Sequence, residues 1–468
     1  MYLWGRKCLA CRIRYLPVRA CSPCTRLLVP VIPSTQRRPP LSSFLQTNKK
    51  EFLYDVRHNH GQDWNIVMGN EGGDLDSCAT AIAMSYISTK LNDSPSIALI
   101  QTPRSDLKLR KENLYGFHLF GDLKSDHTDL LTIEDITDLI PLSELRTTFT
   151  LVDHNSLLPK FAHNGDDRVT AIFDHHEDEG KHPNADPRII CTTGSCASVV
   201  TDYYKDQFPP KPDGLALRVA SLLLSAIALD TKGLKPVDLN INIDDPERGN
   251  AYPKDNAAHK LLRPLSVFGV QAFSPDRRPS LPDISMKYLY EVLYKAKQDV
   301  GHLSGQELLR RDYKGYQLSS GSGDIRYRLS TVPISVHQWI ERDGAEAFWA
   351  DQAQWINEHN LTFSGILTSF RTSDKKPKHE RELILVFPSP ASQLEKKLYR
   401  GIISNHELDA KRMYNVKGIC KQRARAWRLS KKASRKLVAP AIKEIIEGDR
   451  SDVGFICALI GWFRAYFS

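Results

Sequence analysis

From Asn65 onward the chain falls into a repeating pattern of short apolar runs, polar turns and longer segments with apolar residues at helical spacing. Ile66-Val67-Met68 reads as a strand. Gly69-Asn70 and Gly72-Gly73 turn the chain, and Asp76 or Ser77 then caps a helix. Ala79, Ile82, Ala83, Tyr86 and Ile87 give that helix one apolar face. Residues 96–100 form the next apolar run, so the order strand, helix, strand predicts a sheet flanked by helices. Strands are expected at 149–152, ending at Asp153, and at 169–173, ending at Asp174. Helices are expected at 194–204 and 215–229; the second is apolar all round, as a deeply buried helix is, and ends at Asp230.

Residues 265–283, rich in Pro, Ser and charge, read as a linker. Beyond it the pattern predicts a helix over 286–297, a short helix capped by Ser304, strands at 363–370 and 382–387, and a helix over 392–399. No repeat of fixed period is present. A chain of 468 residues is long for one core, so two domains are expected. The boundaries read from the pattern are a leader over 1–50, a first domain over 51–264, a linker over 265–283, a second domain over 284–445 and a tail over 446–468.

Charge changes this picture in one place. The first 50 residues carry seven Arg, three Lys and no acid, so the net charge of +9 belongs to the leader; the rest of the chain sums to −1. A nucleic-acid partner is therefore not expected from charge. An acid-free, Arg-rich leader predicts mitochondrial targeting, which leaves cytoplasm or mitochondrial matrix as the expected location. Cys8, Cys11, Cys21 and Cys24 form two CxxC pairs, but the gap between them is short for a zinc site. Nine Cys in loose spacing do not make a disulfide framework and fit a reducing compartment. The apolar tail at 455–463 is too short to cross a bilayer, and no transmembrane segment is expected.

Candidate chemistry lies where apolar elements end in acids. Asp74 and Asp76, with Asn70 four residues earlier, can converge in the Gly-rich turn, and oxygen donors of this kind suit Mg²⁺ or Mn²⁺. Asp174-His175-His176 follows a strand; one ring can bind metal while the other faces substrate. Asp153 and Asp230 close two further apolar elements, where an unpaired acid is costly. Two divalent ions held by such a set activate water for attack on phosphorus, and no GxSxG, GxxxxGK[ST] or HExxH motif offers another route. Phosphate chemistry also requires cations, and the second half supplies them at 308–314, at 375–379 and at 431–436.

Asn70-x3-Asp74-x-Asp76, Asp153, Asp174-His175-His176 and Asp230 resemble the four motifs of the DHH phosphoesterase superfamily. Leu308 to Lys314 and Ala433 to Pro440 resemble the DHHA2 domain shared by family II pyrophosphatases and fungal exopolyphosphatases, so the resemblance spans about residues 60 to 445. It implies an α/β, two-domain fold with a parallel-sheet N-terminal domain, a smaller α/β DHHA2 domain and the active site in the cleft between them. It implies that Asp74, Asp76, Asp153, His175 and Asp230 hold two Mn²⁺ or Mg²⁺ ions, with Asp76 and Asp153 touching both. His176 would assist catalysis or bind phosphate, and Asp174 would support the His pair or approach a metal. Lys314, Arg435 and Lys436 would bind phosphate, and His379 and Asn70 are further candidates for substrate contact.

One departure from the pattern bears on substrate. Family II pyrophosphatases usually begin the first motif with His, whereas this chain has Asn70. That tilts the expectation to a monomeric exopolyphosphatase acting on linear polyphosphate. The alternatives are a manganese-dependent pyrophosphatase, a phosphodiesterase acting on short nucleic acids or cyclic nucleotides, and a non-catalytic interaction protein on the same scaffold.

Overall fold

The computed structural model describes residues 40–121, 123–162, 168–238, 248–270, 284–320, 323–372, 378–388, 393–419 and 424–448. The CxxC pairs, most of the expected linker, Lys375 and Lys376, and the apolar tail lie outside them. The first half runs α1 (Pro40–Asn59), β1 (Asn65–Met68), α2 (Leu75–Tyr86), β2 (Ser96–Ile100), α3 (Lys111–Tyr115), β3 (Leu131–Thr132), α4 (Ile133–Thr137), β4 (Thr148–Val152), β5 (Val169–Asp174), β6 (Arg188–Ile190), α5 (Cys196–Tyr203), α6 (Gly214–Asp230), α7 (Pro253–Leu262), α8 (Val267–Val270) and α9 (Met286–Gln298). The second runs α10 (Gly305–Arg311), β7 (Tyr313–Ser320), β8 (Gly323–Val332), α11 (Val336–Asp343), α12 (Ala345–Glu358), β9 (Phe363–Arg371), β10 (His379–Val386), α13 (Gln393–Ser404), β11 (Lys411–Arg412), β12 (Ala424–Leu429) and α14 (Arg435–Glu447).

The first sheet has the order β3-β2-β1-β4-β5-β6, and every pairing in it is parallel. Successive strand residues point to opposite faces. Ile66 and Met68 join one apolar cluster and Val67 the other. Both faces are covered, which is why these strands read as continuous apolar runs. The strand order reverses between β1 and β4, and ligands of such sheets bind beyond the carboxyl ends of the strands at that switch point. Asn70 and Asp153 leave β1 and β4 there.

Two features depart from the sequence reading. α1 begins at Pro40, inside the stretch read as leader, and its Leu41, Phe44, Leu45 and Phe52 are buried in the core. Proline suits a first helical position, where its missing N–H would have had no partner. α9, placed by the pattern with the second domain, buries Leu289 and Leu293 in the core of the first.

The second sheet has the order β11-β12-β10-β9-β8-β7, antiparallel except for β8 beside β9. α11 and α12 cover one face through Trp339, Phe348 and Trp355, and α13 and α14 cover the other through Leu398, Ile402, Val438 and Ile442. Among the described residues, no helix is long and apolar enough to cross a membrane.

The domains meet along α10. Arg310 Nε lies 2.7 Å from Asp106, and Arg311 Nη2 lies 2.9 Å from Glu112. Arg311 Nε also donates to the Leu109 carbonyl at 2.9 Å. These arginines belong to the basic cluster expected to serve phosphate; instead they join the domains. Arg311 and Glu112 are both buried, so Arg311→Met is expected to lower stability by roughly 3–5 kcal/mol, because it leaves the Glu112 carboxylate with only a 3.5 Å contact to Arg110 among the described residues. The half-exposed Arg310 is expected to lose less than about 1 kcal/mol as Arg310→Ala. Urea unfolding of both variants checks the ranking, and equal losses would contradict it.

Candidate metal centre

The turn after β1 is built by close packing. A Cβ on Gly69 would stand 2.5 Å from that of Ser77, so only glycine lets the strand pass this near to α2. Asp74, rather than Asp76 or Ser77, is the helix cap: its Oδ1 accepts from the Ser77 amide at 3.1 Å. Asp76 therefore sits in the first turn, where it is buried. Its Oδ1 accepts from Ser195 Oγ at 2.8 Å and from the Ala197 amide at 3.0 Å, and its Oδ2 accepts from the Cys196 amide at 2.7 Å. The amino end of α5 thus holds Asp76 by its first backbone N–H groups, which have no partner within the helix.

Asp153 follows β4 with φ of 62°, a left-handed conformation that aspartate tolerates better than most residues. This sharp turn directs its carboxylate back over α2. Oδ2 accepts from Asn70 Nδ2 at 2.8 Å and from Ser77 Oγ at 2.5 Å. Oδ1 faces His175 Nε2 at 3.1 Å and His176 Nδ1 at 3.6 Å. His175 Nδ1–H donates to the Thr193 carbonyl at 3.2 Å, leaving Nε2 toward the acids; Asp76 Oδ2 is 3.9 Å from it. Orientation of a ligand ring by a backbone carbonyl is usual at metal sites.

Asp174 is the organiser of the His pair. Its Oδ1 accepts from the amides of His175 and His176, at 2.7 and 3.2 Å, and from His176 Nδ1 at 2.9 Å. Its Oδ2 accepts from Asn155 Nδ2 at 2.6 Å. Burial raises its pKa, but the bonds and charge of His176 and the Asn155 amide outweigh burial and lower it. Between the two roles expected for Asp174, these contacts fit support of the His pair. The imidazoles stand edge to face, with centroids 4.6 Å apart, and His176 is exposed.

Asp153, His175 and His176 each place a donor atom within 4.8 Å of the others and could hold a metal ion. Asp74, Asp76 and Asp230 surround this cluster by charge. Burial and the charge of Asp74 push the Asp153 pKa up. Burial and the charges of Asp76 and Asp74 do the same to Asp230 at the end of α6. Burial opposes a charge on His175, but the bond to Asp153 and the charges of Asp76, Asp153 and Asp230 raise its pKa. Mutual repulsion among buried acids, with a carboxylate and imidazole donor set, fits a divalent cation such as Mn²⁺ or Mg²⁺.

The remaining predicted residues divide. Asn70 is turned inward: Nδ2 donates to Asp153 and Oδ1 accepts from the Gly72 amide at 2.8 Å, so it orients Asp153. Lys314 and Lys436 are exposed on the second domain. Arg435 Nη1 donates to Asp312 Oδ1 at 3.0 Å. Burial raises the Asp312 pKa, yet Arg435, Arg110, Arg311 and Lys297 together hold it at about 2. His379 was grouped with cations, but burial first, then Arg381, Arg371, Lys232 and Lys431, lower its pKa to about 4. It is neutral at pH 7 and bonds to Ser369 Oγ through Nε2 at 3.0 Å. Lys232 follows Asp230 by two residues, so the start of β10 shares its electrostatic surroundings with the end of α6. Asn155, Ser195 and Arg110 were not singled out, and Ser77 only as a helix cap, because polar residues in turns carry no signal of what they will face.

Residues 64–227 match the family model described as "DHH family, N-terminal domain", and residues 291–445 match the "DHHA2 domain". The chain is similar to "Putative exopolyphosphatase" of Schizosaccharomyces pombe, with 31% identity over 261 residues, 54% of this chain and 60% of the relative. "Exopolyphosphatase PRUNE1" of Rattus norvegicus is 24% identical over 424 residues, 89% of this chain and 84% of that protein. The Mus musculus protein of the same name is 26% identical over 350 residues, 74% and 68% of the two chains. The chain thus spans about 60% of the length of the fission-yeast relative. The crystal structure of a "putative family II inorganic pyrophosphatase" from Methanococcus jannaschii covers 82% of this chain and 99% of its own, with 19% identity and a TM-score of 0.48, a likeness too loose to bear on substrate.

Two outcomes are expected. Asn70→Ala should weaken Mn²⁺ binding by about 10–100-fold, as loss of a residue orienting a metal ligand does. Calorimetric titration with Mn²⁺ measures this, and unchanged affinity would contradict it. Asp312 has a folded pKa of about 2 against an ordinary 3.8, so its contribution to stability is complete above 3.8 and lost as pH falls toward 2. The stability gap between wild type and Asp312→Asn should be constant above about pH 5 and shrink in that acid window; a gap independent of pH would count against the assignment.

Proposed function

Because the chain belongs to the DHH phosphoesterase family and carries a DHHA2 second domain, we propose that it is an exopolyphosphatase, releasing orthophosphate from the ends of linear inorganic polyphosphate with two divalent ions. The observation that carries this reading is the cluster of Asp153, His175 and His176 at the switch point of the first sheet, ringed by Asp74, Asp76 and Asp230. The similar proteins are named exopolyphosphatases, which supports polyphosphate as the substrate class. Asn70, where the pyrophosphatase pattern has His, tilts the choice the same way.

Asp74, Asp76, Asp153, His175 and Asp230 would hold the two ions. Mn²⁺ or Mg²⁺ in such a site lowers the pKa of water and neutralises phosphoryl oxygens. Everything else falls to the chain's own groups. Asp153 is fixed by Asn70 and Ser77, and Asp76 by the amino end of α5, so neither carboxylate has to reorganise during turnover. His176, held through Nδ1 by Asp174, keeps Nε2 for substrate and serves as the proton carrier or phosphate donor. Arg435, Lys436 and Lys314 bring cations to the polyanion from the second domain, and neutral His379 offers a hydrogen bond. Arg311 and Glu112 hold the two walls in register.

Phosphate release from pyrophosphate, tripolyphosphate and long-chain polyphosphate, with Mn²⁺, Mg²⁺ or chelator, tests the proposal. Turnover is expected on chains longer than pyrophosphate and should vanish with chelator. Asp76→Asn and Asp153→Asn should lose about 10³-fold or more in kcat while staying folded. Hydrolysis confined to pyrophosphate would replace the reading with that of an inorganic pyrophosphatase. Activity indifferent to chelator would remove the two-ion mechanism.

A further inference from the structure

Arg110 immediately precedes α3, on the metal-binding domain. It is 6% exposed. Among the described residues its guanidinium has a single hydrogen-bonding partner: Nη1 donates to Glu112 Oε1 at 3.5 Å. That oxygen already accepts a shorter bond, 2.9 Å, from Arg311 Nη2. A guanidinium carries five N–H donors, so most of those of Arg110 remain available to an anion.

Its surroundings place that anion at the cleft. Arg110 Nη2 lies 3.9 Å from where a Cβ on Gly72 would stand, and Gly72 donates to Asn70, which orients Asp153. Burial opposes the charge of Arg110, while Asp312, Glu112 and Asp74 sustain it. Asp74 belongs to the metal side and Asp312 to the second domain, where Arg435 grips it. Lys297, at the end of α9, acts on both Asp312 and Asp230. Arg110, Lys297 and Arg435, on three different elements, therefore all act on one acid, Asp312.

We propose that Arg110, supported by Lys297, binds a phosphoryl group of the substrate from the metal-domain wall, facing Arg435 across the cleft. The proposal rests on the phosphohydrolase reading and deepens it. One phosphoryl group would lie at the metal cluster and the next between Arg110 and Arg435, a requirement that a phosphoanhydride meets and a phosphomonoester does not. The planar fork of Arg110 would take two oxygens at once, and its charge would stabilise the leaving phosphate.

The test uses the full chain loaded with Mn²⁺ and inorganic phosphate as the probe, by calorimetry and by the rise in Tm that phosphate causes. Arg110→Met is expected to bind phosphate about tenfold or more weakly, with Mn²⁺ affinity unchanged. Arg110→Lys should recover only part of the loss. Arg310→Ala separates binding from architecture: it removes a partly exposed interdomain arginine of small stability cost yet should keep phosphate affinity. If Arg110→Met binds phosphate as wild type does, or Arg310→Ala reproduces its loss, the proposal is overturned. Should Arg110→Met fail to fold, Arg110→Lys decides, and a phosphate-induced Tm rise equal to that of wild type overturns it. Phosphate binding needs no turnover, so a wild type that binds phosphate through Arg110 but leaves polyphosphate intact would refute the proposed substrate alone.

Discussion

Buried carboxylates that repel one another, drawn to the carboxyl edge of a parallel sheet, are the constraint to which the rest of this molecule answers. Asp153 and Asp230 each have their pKa pushed up by burial and by neighbouring acids. Without a cation, this arrangement favours protonation of some members. The surrounding structure limits the cost in three ways. The amino end of α5 turns its N–H groups on Asp76, Asn70 and Ser77 donate to Asp153, and His175 lies between Asp76 and Asp153. Each device leaves part of a carboxylate available, which a purely structural ion pair would not.

The second domain answers with the opposite charge. Its contacts with the first sort into two kinds. Arg310 and Arg311 are closed into pairs with Asp106 and Glu112, and they set how the domains meet. Among the described residues Arg435 hydrogen-bonds only to Asp312, and Lys314 and Lys436 are exposed. One stretch, Leu308 to Lys314, therefore holds both a clamp and an exposed cation, although in sequence it reads as one basic patch. A shared acid such as Asp312 can keep several arginines folded in place while a polyanion is absent.

Legibility followed range. The parallel sheet was readable because β1, β4 and β5 are unbroken apolar runs that end in polar turns, and α6 was readable from its apolar surface on all sides. β7 and β8 were missed because Tyr313 to Val332 interleaves polar and charged residues with apolar ones, and only pairing with β9 decides its state. α1 was missed because Pro30, Pro33, Pro39 and Pro40 and the pair Arg37-Arg38 disguised the start of an amphipathic helix. At the site, Asp153, Asp174 and Asp230 stood out because each closes an apolar element, His175 because it follows one of them, and Asp74 and Asp76 because they share the Gly-rich turn after another. Asn70 stood out too, but as a substrate contact, and its geometry makes it a support for Asp153.

By itself the sequence determined where acids, imidazoles and basic residues fall relative to strand and helix ends, because periodicity and turn chemistry are local. It also carried the family pattern that ties these positions together. Only the tertiary structure decided which of them work as one group. Arg311 became a clamp and Arg110 a buried cation short of partners, although both are arginines near the end of a basic or charged segment. His379 became neutral where its neighbours suggested a cation. Burial and the field of distant charges set those outcomes, and both depend on residues brought together from far apart along the chain, as Arg311 and Glu112 are at a separation of 199.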